Sequence, residues 1–177
     1  KESSAASDVY KRQVIGQLVT MYALTFAICG PILVKLTNRF AVRPVLLWTL
    51  FTFIIGNGII AIAPNFTILV IGRILSSAAA SLIIVKVLAL TAMLTKPKNR
   101  GKMIGVVYTG FSGANVFGVP IGTMIGDWVG WRFTFLFIMA VSVLVGILMI
   151  IYLPKESELA HANRSNHSSD PVSYTHL

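Results

Sequence analysis

The chain of 177 residues is 55% hydrophobic and only 12% charged, with a mean hydropathy of +0.78. This composition excludes an ordinary soluble domain and predicts a membrane protein. The net charge of +9 does not indicate a nucleic-acid partner, because the basic residues lie between apolar runs rather than on one polar face.

The polar ends are predicted to derive from a sequencing adapter. The strings "DVYKRQ" (8–13) and "VSYTHL" (172–177) can be encoded by reverse-complementary nucleotides, and that duplex resembles the transposase mosaic end of sequencing libraries. We therefore exclude residues 1–13 and 172–177 from the fold prediction as non-native. The native segment is expected to cover residues 14–171 and to be cut at both ends.

Five apolar runs follow, each long enough to cross about 30 Å of hydrocarbon as a helix. They cover residues 16–36, 44–62, 67–94, 103–126 and 131–153. The polar breaks between them are short, so consecutive helices are antiparallel neighbours. Since lipid cannot satisfy backbone groups and the runs do not alternate in polarity, the sequence predicts an all-α membrane protein, a polytopic bundle of five transmembrane helices.

Basic residues mark one side of this bundle. Eight of them lie at alternate ends of the spans, against Arg132 alone on the other side: Lys35, Arg39, Arg43, Lys96, Lys98, Arg100, Lys102 and Lys155. The positive-inside rule places loops 37–43 and 95–102 and the C-terminal tail in the cytoplasm, with the chain in the cell (inner) membrane. The first span then enters from outside, which predicts at least one missing upstream helix.

The third span carries two cations, Arg73 and Lys86, and no acid. Both lie within the hydrocarbon thickness, and they differ by about 140° around the helix axis, so they cannot share one narrow face. Intramembrane bases usually face a cavity or a partner, although a long side chain can also reach the lipid boundary. Ser76 and Ser77 give Arg73 a small, polar surround. No Asp, Glu or His occurs in residues 14–126, so the counter-charge is expected on a missing helix.

The fourth span has small residues at every fourth position, along one helix face. They are Gly110, Ala114, Gly118, Gly122 and Gly126. Such a face predicts close helix contact, with a direct part in a conformational change as the alternative. Pro120 frees a backbone carbonyl and favours a kink, which a packed or cavity-lining helix can absorb.

Four segments in order resemble the major facilitator superfamily, in particular its bacterial drug:proton antiporter branch with arabinose-efflux-like permeases. "GQLVTMYAL" (16–24) is similar to the opening of the family's second helix. "LTNRFAVRPVLL" (36–47) resembles its loop motif, and "LVIGR" (69–73) resembles its fourth-helix motif. "GVPIGTMIGDWVGWRFTF" (118–135) resembles its fifth-helix antiporter motif and the turn that follows.

The resemblance implies that the five spans are helices two to six of an N-terminal six-helix half, followed by the start of a central cytoplasmic loop at 155–171. The first helix and the second half of the same carrier would be missing partners. The implied function is secondary active transport by alternating access. It would be proton-coupled efflux of a small organic solute, such as a drug, sugar or metabolite, across the lipid bilayer. A proton gradient would supply the energy, and neither cofactor nor metal is expected.

The resemblance also assigns roles to individual residues. The family's fourth-helix arginine, here Arg73, is linked to proton coupling or substrate contact. Further candidates for the path follow from polar character within the spans and not from the resemblance: Lys86, Ser76, Ser77, Tyr22 and Asn115. Asn57, Tyr108 and Ser112 are polar candidates as well. For Tyr22, Asn57, Tyr108, Ser112 and Asn115, an interhelical hydrogen bond is expected in preference to a substrate contact.

The loop motif assigns a cytoplasmic gate to Asn38, Arg39 and Arg43. Asn38 stands where the family usually has Asp, and an amide cannot form an ion pair. The alternative is that the two arginines mainly set the topology.

Two other classes of function would fit part of the sequence. A nonenzymatic membrane scaffold or a channel subunit would fit the composition but leaves the four ordered motifs unexplained. An intramembrane serine protease would need "GFSG" (110–113) to supply Ser112 as a nucleophile together with a base. His161, His167 and His176 all lie beyond the last span, so no catalytic residue is predicted and the chain is not expected to be an enzyme.

Overall fold

The structure is a computed structural model that describes residues 2–153, with side chains described for residue 13 and residues 16–153. Its five helices are α1 (Glu2–Thr37), α2 (Val42–Ile62), α3 (Phe66–Leu94), α4 (Arg100–Trp128) and α5 (Trp131–Tyr152), and a short 3₁₀ helix covers Pro97–Asn99. No strand occurs in residues 2–153. All five helices include a stretch long and apolar enough to cross a membrane. The predicted all-α membrane fold is confirmed.

The helix bounds follow the predicted spans closely, except at the N-terminus. In α1 the stretch long and apolar enough to span is Gly16–Thr37, whereas the helix itself begins at Glu2. It therefore includes residues 2–13, for which an adapter origin is predicted; that prediction concerns their origin and not their conformation. The predicted central loop (155–171) and C-terminal flank (172–177) lie outside the described residues.

Local signals explain where two of the helices start and stop. The Asn65 side chain accepts a hydrogen bond from the Ile68 backbone N–H at 3.0 Å, which caps α3. Helix α4 ends where the N–H groups of Val129 and Gly130 donate to carbonyls one turn earlier. Gly130 has a φ of +104°, a backbone conformation that side chains disfavour, so glycine permits the tight turn into α5.

Helix α3 lies at the centre of the bundle and contacts α1, α2 and α4. Gly56 of α2 lies against Ser76, and Gly72 of α3 lies against Ile60, so α2 and α3 run antiparallel with their backbones close. Ser81 of α3 also lies near Gly30 of α1. Together these contacts pack the centre of the bundle mainly through small residues, as expected for helices in lipid.

A small apolar core closes one end of the bundle. Leu46 of α2 and Leu90 of α3 are buried there. Val42, Val87, Met149 and Leu153 pack around them. Since Val42 begins α2 and Tyr152 ends α5, this end carries loops 37–43 and 95–102. We call it the basic end, and the other the opposite end.

Helix α4 is peripheral, and none of its residues is buried. A methyl group built on Gly122 or Gly126 would lie 3.5 or 3.6 Å from the Thr134 side chain of α5. At Gly110 and Gly118 it would meet no described atom within 4 Å, and Ala114 is exposed. The predicted small-residue face therefore contacts a helix only in its C-terminal half. The helix continues unbroken through Pro120.

Arginines connect α2 and α5 at both ends. Arg132, the second residue of α5, donates to the Ala63 carbonyl just after α2 at 3.0 Å. Arg43, the second residue of α2, donates to the Ile150 carbonyl in the last turn of α5 at 3.4 Å. A cation near a helix N-terminus opposes its own helix dipole but favours the C-terminus of an antiparallel neighbour. The two arginines thus stabilise the α2–α5 pair reciprocally.

Replacing Arg132 with Met is expected to lower the melting temperature of the detergent-solubilised protein by roughly 3 °C, because a hydrogen bond from a charged donor contributes about 1.5 kcal/mol. Lys98→Met, at an exposed position of the 3₁₀ helix, is the matched control and should leave the melting temperature unchanged. Equal melting temperatures for both variants would show that the Arg132 contact contributes nothing.

Candidate functional site

Three helices converge on the guanidinium of Arg73. The Cζ atom of Arg73 lies 4.9 Å from the ring centroid of Phe135 in α5 and 5.9 Å from that of Tyr22 in α1. Both distances are within the range of cation–π attraction, which gains strength where water is excluded. We call Arg73, Tyr22 and Phe135 the Arg73 site.

The Arg73 site has an unfilled hydrogen-bonding position. The Arg73 Nε atom is inaccessible to solvent and has no hydrogen-bond partner among the described residues. An unpaired buried donor on a charged group costs several kcal/mol in hydrocarbon. In residues 16–153 the only acid is Asp127, which is exposed at the end of α4. The arrangement can therefore accept an anionic or acceptor group that this part of the chain does not supply.

Ser76 and Ser77 lie beside Arg73 and are both buried. The Ser77 hydroxyl donates to the Tyr22 backbone carbonyl at 2.7 Å, which fixes α3 to α1 one turn from Arg73. The Ser76 hydroxyl donates to the Arg73 carbonyl at 3.2 Å and lies at the Gly56 contact with α2. In this structure both hydroxyls bond to backbone carbonyls. Their predicted role in the path stays a prediction.

Lys86 is 4% exposed and lies away from the Arg73 site. Its Nζ donates to the backbone carbonyl of Thr37, the last residue of α1, at 3.3 Å. The acceptor is therefore a main-chain oxygen at the basic end. The structure brings Lys86 to the start of loop 37–43, while its predicted role in the path remains a prediction.

The loop residues predicted to form a gate differ in their contacts. Asn38 and Arg39 are exposed, and neither forms an ion pair among residues 16–153. Arg43 is bound to α5 through the Ile150 carbonyl. Of the three, Arg43 alone has a tertiary hydrogen bond within the described residues.

The remaining polar candidates are dispersed along the helices. The Asn57 amide donates to the Phe53 carbonyl at 2.8 Å, and the Asn115 amide donates to the Phe111 carbonyl at 2.9 Å. Within the described residues each amide donates to a carbonyl of its own helix, and the interhelical hydrogen bonds expected of these amides stay a prediction. Ser112 is exposed on α4, and residues 16–153 contain no His to act as its base.

Tyr108 borders an apolar groove of about 310 Å³ between α1, α3 and α4. Phe26, Ile84 and Phe111 also line it. The groove has a lining without polar surface and is separate from the three residues of the Arg73 site.

Phe135 is the one member of the Arg73 site that the sequence analysis missed. An aromatic residue in an apolar run is common and gives no signal by itself. Phe135 is the fifth residue of α5 and follows the "GWR" turn at 130–132. This position alone indicated that Phe135 lies at the same end of the bundle as Arg73.

The chain is similar to known transport proteins. The family model described as Major Facilitator Superfamily matches residues 5–174. The uncharacterized MFS-type transporter YtbD of Bacillus subtilis is 35% identical over 141 residues, which cover 80% of this chain and 36% of that protein. The inner membrane transport protein YdhP of Escherichia coli is 28% identical over 140 residues, which cover 79% of this chain and 36% of that protein.

A third relative has the same partial coverage. The putative transporter AraJ of Escherichia coli is 26% identical over 149 residues, which cover 84% of this chain and 38% of that protein. The chain thus spans little more than a third of the length of these relatives.

Proposed function

Because this chain belongs to the major facilitator superfamily, a family of transporters and not of enzymes, we propose that it is part of a secondary carrier that exports a small organic solute in exchange for protons. The solute is a drug, a sugar or another metabolite. The carrier works by alternating access between two halves, of which this chain supplies helices two to six of the first. A lipid bilayer surrounds it, and a proton gradient drives it.

The observation that carries this proposal is the Arg73 site. A guanidinium inside a membrane span is costly and is retained where a partner or a pathway uses it. Arg73 has two aromatic neighbours and an unpartnered Nε, which supports an anionic partner from outside residues 16–153. Arginine does not titrate in the physiological range, so the proton is carried by that partner, an acid on the preceding helix of the carrier.

An acid facing Arg73 has two states, which gives the coupling a physical basis. When the acid is ionised it pairs with the guanidinium, and when it is protonated the pair weakens and the helices that hold Tyr22 and Phe135 can separate. Proton binding and solute binding then compete for one group, as exchange requires. Lys86, Ser76, Ser77 and Asn115 remain path candidates in this scheme.

The basic end is the cytoplasmic end in this proposal. It carries Lys35 and the basic residues of loops 37–43 and 95–102, whereas the opposite end carries Arg132 alone. The membrane is the inner cell membrane, by analogy with the inner membrane transport protein YdhP. Loop 37–43, with Asn38, Arg39 and Arg43, then forms part of the inward gate.

The test uses the complete carrier in inside-out membrane vesicles whose lumen is made more acidic than the outside medium. Ethidium serves as the drug probe and radiolabelled arabinose as the sugar probe. We expect uptake of at least one probe to require the gradient, to collapse on addition of a protonophore, and to release protons from the vesicle lumen. Uptake that runs equally well without a gradient, in either direction, would contradict proton coupling and indicate a channel or facilitator.

A further inference from the structure

Lys and Arg side chains donate hydrogen bonds to the C-terminal carbonyls of most of the helices in residues 2–153. In four of the five helices, a Lys or Arg side chain donates to a carbonyl in the last turn or just after it. The contacts are Lys86 to Thr37 for α1 at 3.3 Å, Arg132 to Ala63 for α2 at 3.0 Å, Arg100 to Ala92 for α3 at 3.1 Å and Arg43 to Ile150 for α5 at 3.4 Å.

Backbone carbonyls thus act as the counter-charge in a region almost without acids. Residues 16–153 contain ten basic residues and one acid. The last four carbonyls of a helix lack intrahelical partners, and the helix end carries a partial negative charge. Where carboxylates are scarce, such carbonyls are the acceptors that the chain itself offers to these side chains.

Loop 38–41 is the part of loop 37–43 that lies between α1 and α2. Its first end is fixed by Lys86. The Thr37 carbonyl accepts both the Phe40 N–H at 3.2 Å and the Lys86 Nζ. Lys86 extends from α3 and is almost fully buried. Because one oxygen holds the loop backbone and the lysine together, the start of the loop is fastened to α3.

The second end of the loop is fixed by Arg43. The Ile150 carbonyl would bond to the N–H four residues later, but residue 154 is proline and has no N–H to donate. The Arg43 guanidinium donates to this oxygen, which lies in the last turn of α5 and has no other partner among the described residues. The end of the loop is thereby fastened to the last turn of α5.

We propose that Lys86 and Arg43 are positioning residues that hold loop 38–41 for gating through bonds to helix-terminal carbonyls, so that the gate needs no acid at position 38. The inference rests on the proposed function, in which this loop is part of the inward gate. It accounts for Asn38: with both ends of the loop fixed to backbone oxygens, an ion pair at that position is dispensable.

The test measures how often the loop opens. In the complete carrier with Cys29→Ser, a single cysteine is placed by Val45→Cys, at a buried side chain one turn after the loop, which a reagent reaches only when the loop moves away. Its rate of labelling by a membrane-impermeant maleimide is measured in inside-out vesicles. Lys86→Met and Arg43→Met are each expected to raise the rate about tenfold, as loss of a hydrogen bond from a charged donor predicts. Lys86→Arg keeps a donor and should restore slow labelling.

Arg132→Met is the matched control, because it removes the same kind of contact at the opposite end and should leave labelling of position 45 unchanged. Slow labelling in Lys86→Met, whether or not transport is lost, would overturn the proposal. An equal rise in all three Met variants would also overturn it, since it would report general loosening of the bundle. Labelling needs no solute, so the result can be read even if the carrier proves not to be proton-coupled.

Discussion

Arg73→Ala in the complete carrier is expected to reduce gradient-driven transport by about a hundredfold, because removing one member of a buried charged pair costs about 3 kcal/mol or more. The variant leaves the proposed partner acid unpaired and removes the group that Tyr22 and Phe135 surround. Uptake of the transported probe into inside-out vesicles measures the effect, normalised to the amount of carrier in the membrane.

Two further variants sharpen this test. Arg73→Lys keeps the charge but loses the planar group that lies against two aromatic rings, so it should retain a fraction of the transport. Lys98→Ala removes an exposed cation at the basic end and should transport at the parent rate. If Arg73→Ala transports like Lys98→Ala at equal membrane levels, the Arg73 site is structural and the coupling group lies elsewhere.

Gly56→Ala is expected to lower the free energy of unfolding by about 1–3 kcal/mol, the usual cost of overpacking a tight contact. A methyl group at this position would lie 2.8 Å from the Ser76 backbone nitrogen, and a backbone atom cannot move aside without separating α2 from α3. The melting temperature of the detergent-solubilised carrier should fall accordingly.

Gly105→Ala is the matched control for this packing prediction. Gly105 also lies within a helix, but an added methyl group would meet no described atom within 4 Å. Alanine favours helix over glycine by up to about 1 kcal/mol, so this variant should be neutral or stabilising. Opposite signs for the two substitutions would assign the effect to the α2–α3 contact, whereas equal changes would contradict it.

The helices were predictable from the sequence because lipid forces every backbone group in a span to pair within its own helix. The predicted spans 44–62 and 67–94 correspond to Val42–Ile62 and Phe66–Leu94 in the structure. The polar breaks marked the turns. The helical part of α1 before Gly16 was not predicted, because those residues are polar and were excluded as adapter-derived.

The neighbours of Arg73 were only partly predictable. The spans are apolar on all sides, so periodicity does not show which face of α5 meets α3, and Phe135 could not be distinguished from other aromatic residues. Tyr22 was a candidate because a hydroxyl in an apolar run is unusual. The direction in which the Lys86 side chain points was not predictable, for a different reason. Its acceptor is a backbone oxygen, and a search of the sequence for acidic side chains does not identify backbone acceptors.

The reciprocal arginines of α2 and α5 have a consequence for evolutionary reconstruction. Residue pairs that substitute together normally reveal spatial contact. Here each partner of an arginine is a main-chain oxygen, which persists whatever side chain stands at Ala63 or Ile150. Neither position can compensate for loss of its arginine, so the 43–150 and 63–132 contacts should leave little trace of correlated substitution.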